Sequence, residues 1–86
     1  MIDNRLHELL TITMEECAEV TQVCSKVMRF GDDPKTLTSL EKEIGDLLCM
    51  IDMLHTEDII SFTKVEEYAM LKREKLKKWS NLFNSN

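Results

Sequence analysis

The sequence has few of the residues that make turns, with two glycines and one proline among 86 residues. A β-sheet needs a turn between successive strands, and glycine and proline most often supply it. Charged residues make up 31% of the chain, and most of them are Glu and Lys, which favour helices. The composition therefore predicts an all-α protein and argues against a sheet.

The cysteines do not indicate a disulfide framework, because their number, three, is odd. Cys17, Cys24 and Cys49 all lie within apolar stretches, where cysteine behaves as a small hydrophobic residue. We expect buried, reduced thiols and hence a reducing compartment.

Long apolar runs and an excess of basic residues are also missing. The longest apolar run, Leu47–Leu54, contains Asp52 and is far shorter than the ~20 residues of a membrane span. Asp3, Arg5 and Glu8 interrupt the start of the chain, which predicts no signal peptide. The net charge of −5 argues against nucleic acid as a partner. We expect a cytoplasmic protein that binds neither membrane nor nucleic acid.

The chain reads as a single domain over residues 1–86, with one strong break at residues 31–34, Gly-Asp-Asp-Pro. The first predicted helix runs from Asp3 to Phe30. The second has two possible starts and should continue to about His55. Asp33 could cap it with Pro34 in the first turn, or Thr38 and Glu41 could form a capping box.

A second capping-box pattern, Thr63 followed by Glu66, predicts a third helix that ends near Leu82. Residues 56–62 would connect the second and third helices. Their apolar side chains should pack inward, and these are Ile59, Ile60 and Phe62.

The first helix has two apolar lines on a wheel of ~100° per residue. The predicted main stripe consists of Leu6, Leu10, Cys17, Val20, Cys24 and Met28. The second line consists of Ile12, Glu16, Glu19, Val23 and Phe30. Glu16 and Glu19 lie one turn apart on this second line, whereas Glu8, Glu15 and Lys26 point outward.

The second helix also carries acids on an apolar face. Its predicted face consists of Leu40, Ile44, Leu47, Ile51 and Leu54, with Met50 at one edge. Glu43 lies within this arc and Asp46 at its margin. Carboxylates that face a core are unfavourable unless they are paired, hydrogen-bonded or bound to metal. If the two helices pack antiparallel, four carboxylates converge, and such a set of hard oxygen ligands suits Mg²⁺ or Mn²⁺.

Two other interpretations of these acids remain. They could belong to a polar seam or pair with lysines in a non-catalytic helical interaction module. They could also belong to a carboxylate-bridged di-metal bundle, but di-iron bundles normally carry Glu-x-x-His on two helices, and the sequence has no such motif.

Two motifs carry a family resemblance. Residues 15–19, Glu-Glu-Cys-Ala-Glu, match EExxE, and residues 43–46, Glu-Ile-Gly-Asp, match ExxD. In this combination, separated by residues 20–42, the sequence resembles the MazG-like nucleoside triphosphate pyrophosphohydrolases. The resemblance implies that Glu16, Glu19, Glu43 and Asp46 bind Mg²⁺. It also implies hydrolysis of a nucleoside triphosphate to the monophosphate and pyrophosphate.

Basic residues of the third helix extend the resemblance. The helix has an apolar line of Val65, Tyr68, Leu76, Trp79 and Leu82, and Lys72 and Lys75 lie within the same arc. Their stems could simply run along the core edge with the amines in water. Lys75 and Leu76 match the centre of a basic motif found in the family, with Lys78 in place of an arginine and Arg73 in place of an asparagine. The resemblance implies that Lys75, with Lys72 and Lys78, holds the outer phosphates of the substrate.

The apolar faces also predict self-association. Three helices can cover one face of each helix, and Cys49 and Met53 lie outside the main arc of the second helix. The surplus apolar surface predicts a homo-oligomer, either a dimer or a tetramer, with a core like a four-helix bundle.

Overall fold

The computed structural model describes residues 3–84, which form three helices and no strand. Helix α1 is Asn4–Phe30, helix α2 is Pro34–Thr56 and helix α3 is Phe62–Trp79. The prediction of an all-α fold with three helices is confirmed. Within the described part of the chain, no helix is both long enough and apolar enough to cross a membrane.

Side chains at the predicted break set the ends of α1 and α2. Gly31 ends α1 with a φ of 97° and donates its N–H to the Val27 carbonyl at 2.8 Å, a conformation that favours glycine. Asp33 caps α2 by accepting the Thr36 N–H at 2.9 Å, and Pro34 follows it in the first turn. The first of the two predicted starts of α2 is therefore the one adopted.

The third helix is shifted from its predicted bounds. It begins at Phe62 because Ser61, in an extended conformation, accepts the Lys64 N–H. The predicted cap, Thr63, lies inside the helix, and the helix ends at Trp79 rather than near Leu82. The Phe62 N–H also donates to Nδ1 of His55 at 3.2 Å, which links the start of α3 to the end of α2.

Helices α1 and α2 form an antiparallel hairpin whose register is fixed by two contacts. At its open end, the Arg5 guanidinium donates two hydrogen bonds to the Glu57 carboxylate, at 2.6 and 2.5 Å. Near its middle, a carboxylate oxygen of Glu19 lies within 4.8 Å of one of Glu43. Fourteen residues separate Arg5 from Glu19 on α1, and fourteen separate Glu43 from Glu57 at the end of α2. Both contacts therefore belong to the same antiparallel register.

The core of the hairpin is small and lies towards its open end. Leu9, Met50 and Leu54 are buried together, and three partly buried side chains pack on them: Ile12, Met53 and Ile60. Val23 is the other buried side chain of the described chain. Ile60 thus packs inward as predicted, whereas Ile59 and Phe62 are more than one-third exposed.

The predicted main stripe of α1 is wrong. Met28 is 88% exposed, and Cys17 and Cys24 are exposed as well. The side that faces α2 instead follows the line of Ile12 and Val23, together with Leu9. Counting apolar residues favoured the wrong stripe because the correct one is interrupted by two glutamates.

The packed face of α2 is rotated from the predicted one, and its inner line also includes a glutamate. Met50, expected at the edge, is at the centre, and Met53, expected outside the arc, packs on the core. Ile44 is 47% exposed. Residues Glu43, Leu47, Met50 and Leu54, at helical spacing, form the inner line.

Helix α3 packs along neither α1 nor α2. None of its residues is buried, and Tyr68 and Trp79 are largely exposed, as is Leu82 beyond its end. The prediction that the cysteines are buried is also wrong, since Cys17, Cys24 and Cys49 are free and exposed. A single chain thus leaves many apolar side chains exposed to solvent, and the predicted homo-oligomer stays a prediction.

Candidate metal centre

The four acids singled out in the sequence come together between α1 and α2. Each of Glu16, Glu19, Glu43 and Asp46 offers a carboxylate oxygen, and these oxygens all lie within 4.8 Å of one another. Two of the acids come from α1 and two from α2, at a spacing of three residues on each helix. The antiparallel register places one pair opposite the other, and we call this set the carboxylate cluster.

Two oxygens of the cluster lack a donor. Glu16 Oε2 and Glu43 Oε2 are buried and have no hydrogen-bond partner among residues 3–84. The Glu43 side chain is only 13% exposed. Buried polar atoms are nearly always satisfied in folded proteins, so these two oxygens mark a place where a positively charged or donating group is missing.

Lys42 partly neutralises one edge of the cluster. Its Nζ lies 3.1 Å from Glu43 Oε1 and 3.1 Å from Asp46 Oδ2. Hydrogen bonds to Asp46 and Glu43 raise the pKa of Lys42 to about 12. Because Lys42 itself is 68% exposed, solvent screens these ion pairs and limits their contribution to stability.

The acids of the cluster shift one another's pKa. Two carboxyl groups can hydrogen-bond to each other only if one of them is protonated. The hydrogen bond to Glu43, with repulsion from Glu43 and Glu16, raises the pKa of Glu19. The same interaction with Glu19, together with the hydrogen bond from Lys42, lowers the pKa of Glu43. Glu19 is therefore the acid of this pair that takes up a proton more readily, as expected when like charges are held close together.

The chemistry of the donor set fits a hard divalent cation. All four candidate ligands are carboxylates from two packed helices, and oxygen-rich sites of this kind suit Mg²⁺ or Mn²⁺. A cation would relieve the repulsion among the acids and give Glu16 Oε2 a partner. The cluster includes no histidine, as is usual for magnesium and unlike the ligand set of di-iron bundles.

The lysines expected at the outer phosphates are placed differently. Lys72, Lys75 and Lys78 lie on α3 and are exposed. Since α3 packs along neither α1 nor α2, a single chain does not pack these three side chains against the carboxylate cluster. Glu15, the first acid of the EExxE motif, is exposed and does not belong to the cluster.

Sequence reasoning missed two basic residues near the acids. Lys42 is one of them, and its spacing of four residues from Asp46 is the usual one for a helical ion pair. Lys26 was assigned to the outer face of α1, yet its charge is felt by Glu43. It follows Glu19 by seven residues, which places the two on nearly the same side of a helix.

Comparisons with known proteins do not identify the chain. No family model, curated protein or solved structure matches it. The functional interpretation therefore depends on the geometry of the carboxylate cluster and on the motifs in the sequence.

Proposed function

We propose that this protein is a Mg²⁺-dependent nucleoside triphosphate pyrophosphohydrolase that converts a (deoxy)nucleoside triphosphate to the monophosphate and pyrophosphate. The observation that carries the proposal is the convergence of four carboxylate oxygens, from two helices, within 4.8 Å of one another. The EExxE and ExxD motifs, which resemble those of the MazG-like family, lie on those same residues.

The roles of the four acids follow from their positions. Glu16, Glu19, Glu43 and Asp46 would hold Mg²⁺, or Mn²⁺ in its place, at the point where their oxygens meet. A bound cation of this kind neutralises phosphate charge and lowers the pKa of water, which makes water a better nucleophile towards phosphorus. The reacting phosphate would be held beside the α1–α2 hairpin through such a cation, since the carboxylates alone would repel it.

Proton handling within the cluster is part of this proposal. The contact with Glu43 raises the pKa of Glu19, and a bound cation would oppose this shift because only the carboxylate form is a ligand. Glu19 is also the more exposed acid of the α1 pair, so it is the better placed of the two to accept a proton from attacking water.

The α3 lysines require a second subunit if they are to reach the substrate. Lys75, with Lys72 and Lys78, would hold outer phosphates in an assembly where α3 of one copy lies over the hairpin of another. Ammonium groups suit this task because they form charge-assisted hydrogen bonds to phosphate oxygens.

The exposed apolar surface supports the homo-oligomer that this arrangement needs. Only four hydrophobic side chains are buried in the described chain, while Trp79 is 84% exposed and Tyr68 69% exposed. Exposed apolar surface on this scale usually marks an interaction site. A dimer or a dimer of dimers would cover it with a second copy of the chain.

A nucleotide turnover assay tests the proposed function. A set of canonical and modified triphosphates would be incubated with the protein and Mg²⁺, and released pyrophosphate measured with and without EDTA. Magnesium-dependent release from at least one nucleotide is expected. Stoichiometric metal binding without turnover would favour a structural metal site, and absence of both would favour the interaction module.

A further inference from the structure

The hairpin has different chemistry on the two sides of the carboxylate cluster. Towards its open end lies the apolar core of Leu9, Met50 and Leu54. Towards the turn at residues 31–33, α1 carries Lys26 and Arg29. Any anionic group that extends from the cluster along the hairpin would therefore meet Lys26 before it reaches Asp32 and Asp33 in the turn.

Lys26 is positioned to act on a group bound at the cluster. It lies two helical turns after Glu19, about 10 Å along the axis of α1. Helical side chains lean towards the N-terminus of their own helix, so that of Lys26 leans back towards Glu19.

The ammonium group of Lys26 is available for a ligand. Among residues 3–84 it has no ion-pair partner within 4 Å, whereas Arg5 is paired with Glu57, and Lys42 with Glu43 and Asp46. An uncompensated positive charge beside an acidic metal site is what a polyphosphate chain would need.

Lys26 also lines a polar recess on the surface of α1. The recess is formed by Thr21, Gln22, Ser25, Lys26 and Arg29. The Nε–H of Arg29 donates to the Ser25 carbonyl at 3.4 Å, which holds that guanidinium along the helix beside the recess. By helical spacing, Thr21, Ser25 and Arg29 are turned away from the buried Val23, so Lys26 is the cation of the recess that also lies on the Glu19 side of the helix. An ammonium group there could donate charge-assisted hydrogen bonds to phosphate oxygens.

We propose that the polyphosphate of the substrate runs from the carboxylate cluster towards the hairpin turn, and that Lys26 binds its outer phosphates in the same subunit. This inference rests on the proposed function and adds a substrate-binding element that the α3 lysines do not supply within one chain. It also gives the pyrophosphate leaving group a binding place on α1.

Inorganic pyrophosphate is the suitable probe, because it represents the outer phosphates without the nucleoside. Its binding would be measured by calorimetry in the presence of Mg²⁺ for the wild type, Lys26→Gln and Lys26→Arg. Loss of one charge-assisted contact predicts at least about tenfold weaker binding for Lys26→Gln. Lys26→Arg, which keeps the charge, should retain most of the affinity. Lys64→Gln on α3 is the matched control, since Lys64 pairs with Glu67, and it should bind as the wild type does.

The outcomes separate this inference from the proposed function. Lys26 is exposed, so the variants should keep the wild-type helical circular dichroism. If Lys26→Gln binds pyrophosphate as tightly as the wild type while Mg²⁺ still binds, this inference is overturned and the proposed function stands. A loss seen only with Lys75→Gln would overturn it in favour of α3. If the wild type binds no Mg²⁺, the proposed function fails and the inference fails with it.

Discussion

Replacing Glu43 with glutamine removes one charge from the centre of the carboxylate cluster and keeps the shape of the side chain. Glu43 is the best position for this change, because its side chain is 13% exposed and it contacts both Glu19 and Lys42. Glutamine can accept one hydrogen bond from Lys42, but it offers a neutral oxygen to a cation. We expect the helical fold to be retained and the metal site to be lost.

The size of the effect follows from the number of ligands. Loss of a residue that only supports a metal ligand typically weakens metal affinity or activity 10- to 100-fold. Glu43 is one of four direct candidate ligands, so its loss should exceed that range, with Mg²⁺ affinity and turnover reduced more than about 100-fold. The Glu19 pKa should also fall towards its ordinary value, since its hydrogen bond and repulsion with the Glu43 carboxylate are its largest causes of elevation.

The assay compares Mg²⁺ titration and pyrophosphate release for Glu43→Gln and Glu15→Gln. Glu15 is a sound control because it undergoes the same chemical change on α1 but lies outside the cluster. The control should behave as the wild type. Equal turnover of Glu43→Gln and the wild type would refute the assignment of the metal site.

Three further predictions concern pH, the core and assembly. Because the pKa of Glu19 is raised and only its carboxylate form can bind a cation, Mg²⁺ affinity should begin to fall at a higher pH than an ordinary glutamate predicts, as calorimetry at several pH values would show. In the metal-free protein the protonated form of Glu19 favours the folded state, so this contribution to stability is lost as pH rises through the raised pKa. Leu54→Ala should lower the free energy of unfolding by about 2–5 kcal/mol, whereas Met28→Ala, at a side chain 88% exposed, should change it by less than about 0.5 kcal/mol, both measured with denaturant. An oligomer should unfold at a temperature that rises with protein concentration. Leu48→Glu, on the exposed side of α2, should weaken association in sedimentation if that side is the contact. A melting temperature independent of concentration, together with the sedimentation mass of a single chain, would contradict this.

The sequence was sufficient to predict the helices and the acids, because both depend on local signals. Asp33 and Pro34 start α2 through side-chain and backbone chemistry within one turn. Glu16 and Glu43 could be identified because each interrupts an apolar line at helical spacing. Their convergence required only that two helices joined by a short turn pack antiparallel.

The orientation of each helix could not be predicted as well. The sequence contains more apolar residues than one chain buries, so the most apolar stripe of α1, with Met28, was not the one that packs on α2. The true contact line includes Glu16, which apolar counting penalises. The same surplus obscured α3, since Trp79 has the pattern of a core residue but is exposed in the single chain.

Which basic residues lie near the carboxylate cluster depends on the register of α1 against α2, and this register is a property of the tertiary structure. Lys26 became relevant only when the Arg5–Glu57 and Glu19–Glu43 contacts fixed how α1 and α2 align. Lys72 and Lys75 show the converse case, because a matching motif does not determine where α3 lies relative to the hairpin.

The most direct test of the central claim is the identity of the products formed from a nucleoside triphosphate in the presence of Mg²⁺. If the carboxylate cluster is a pyrophosphohydrolase site, nucleoside monophosphate and pyrophosphate should appear in equal amounts, and EDTA should abolish both. Failure of every canonical and modified triphosphate to release pyrophosphate, with Mg²⁺ bound, would contradict the account.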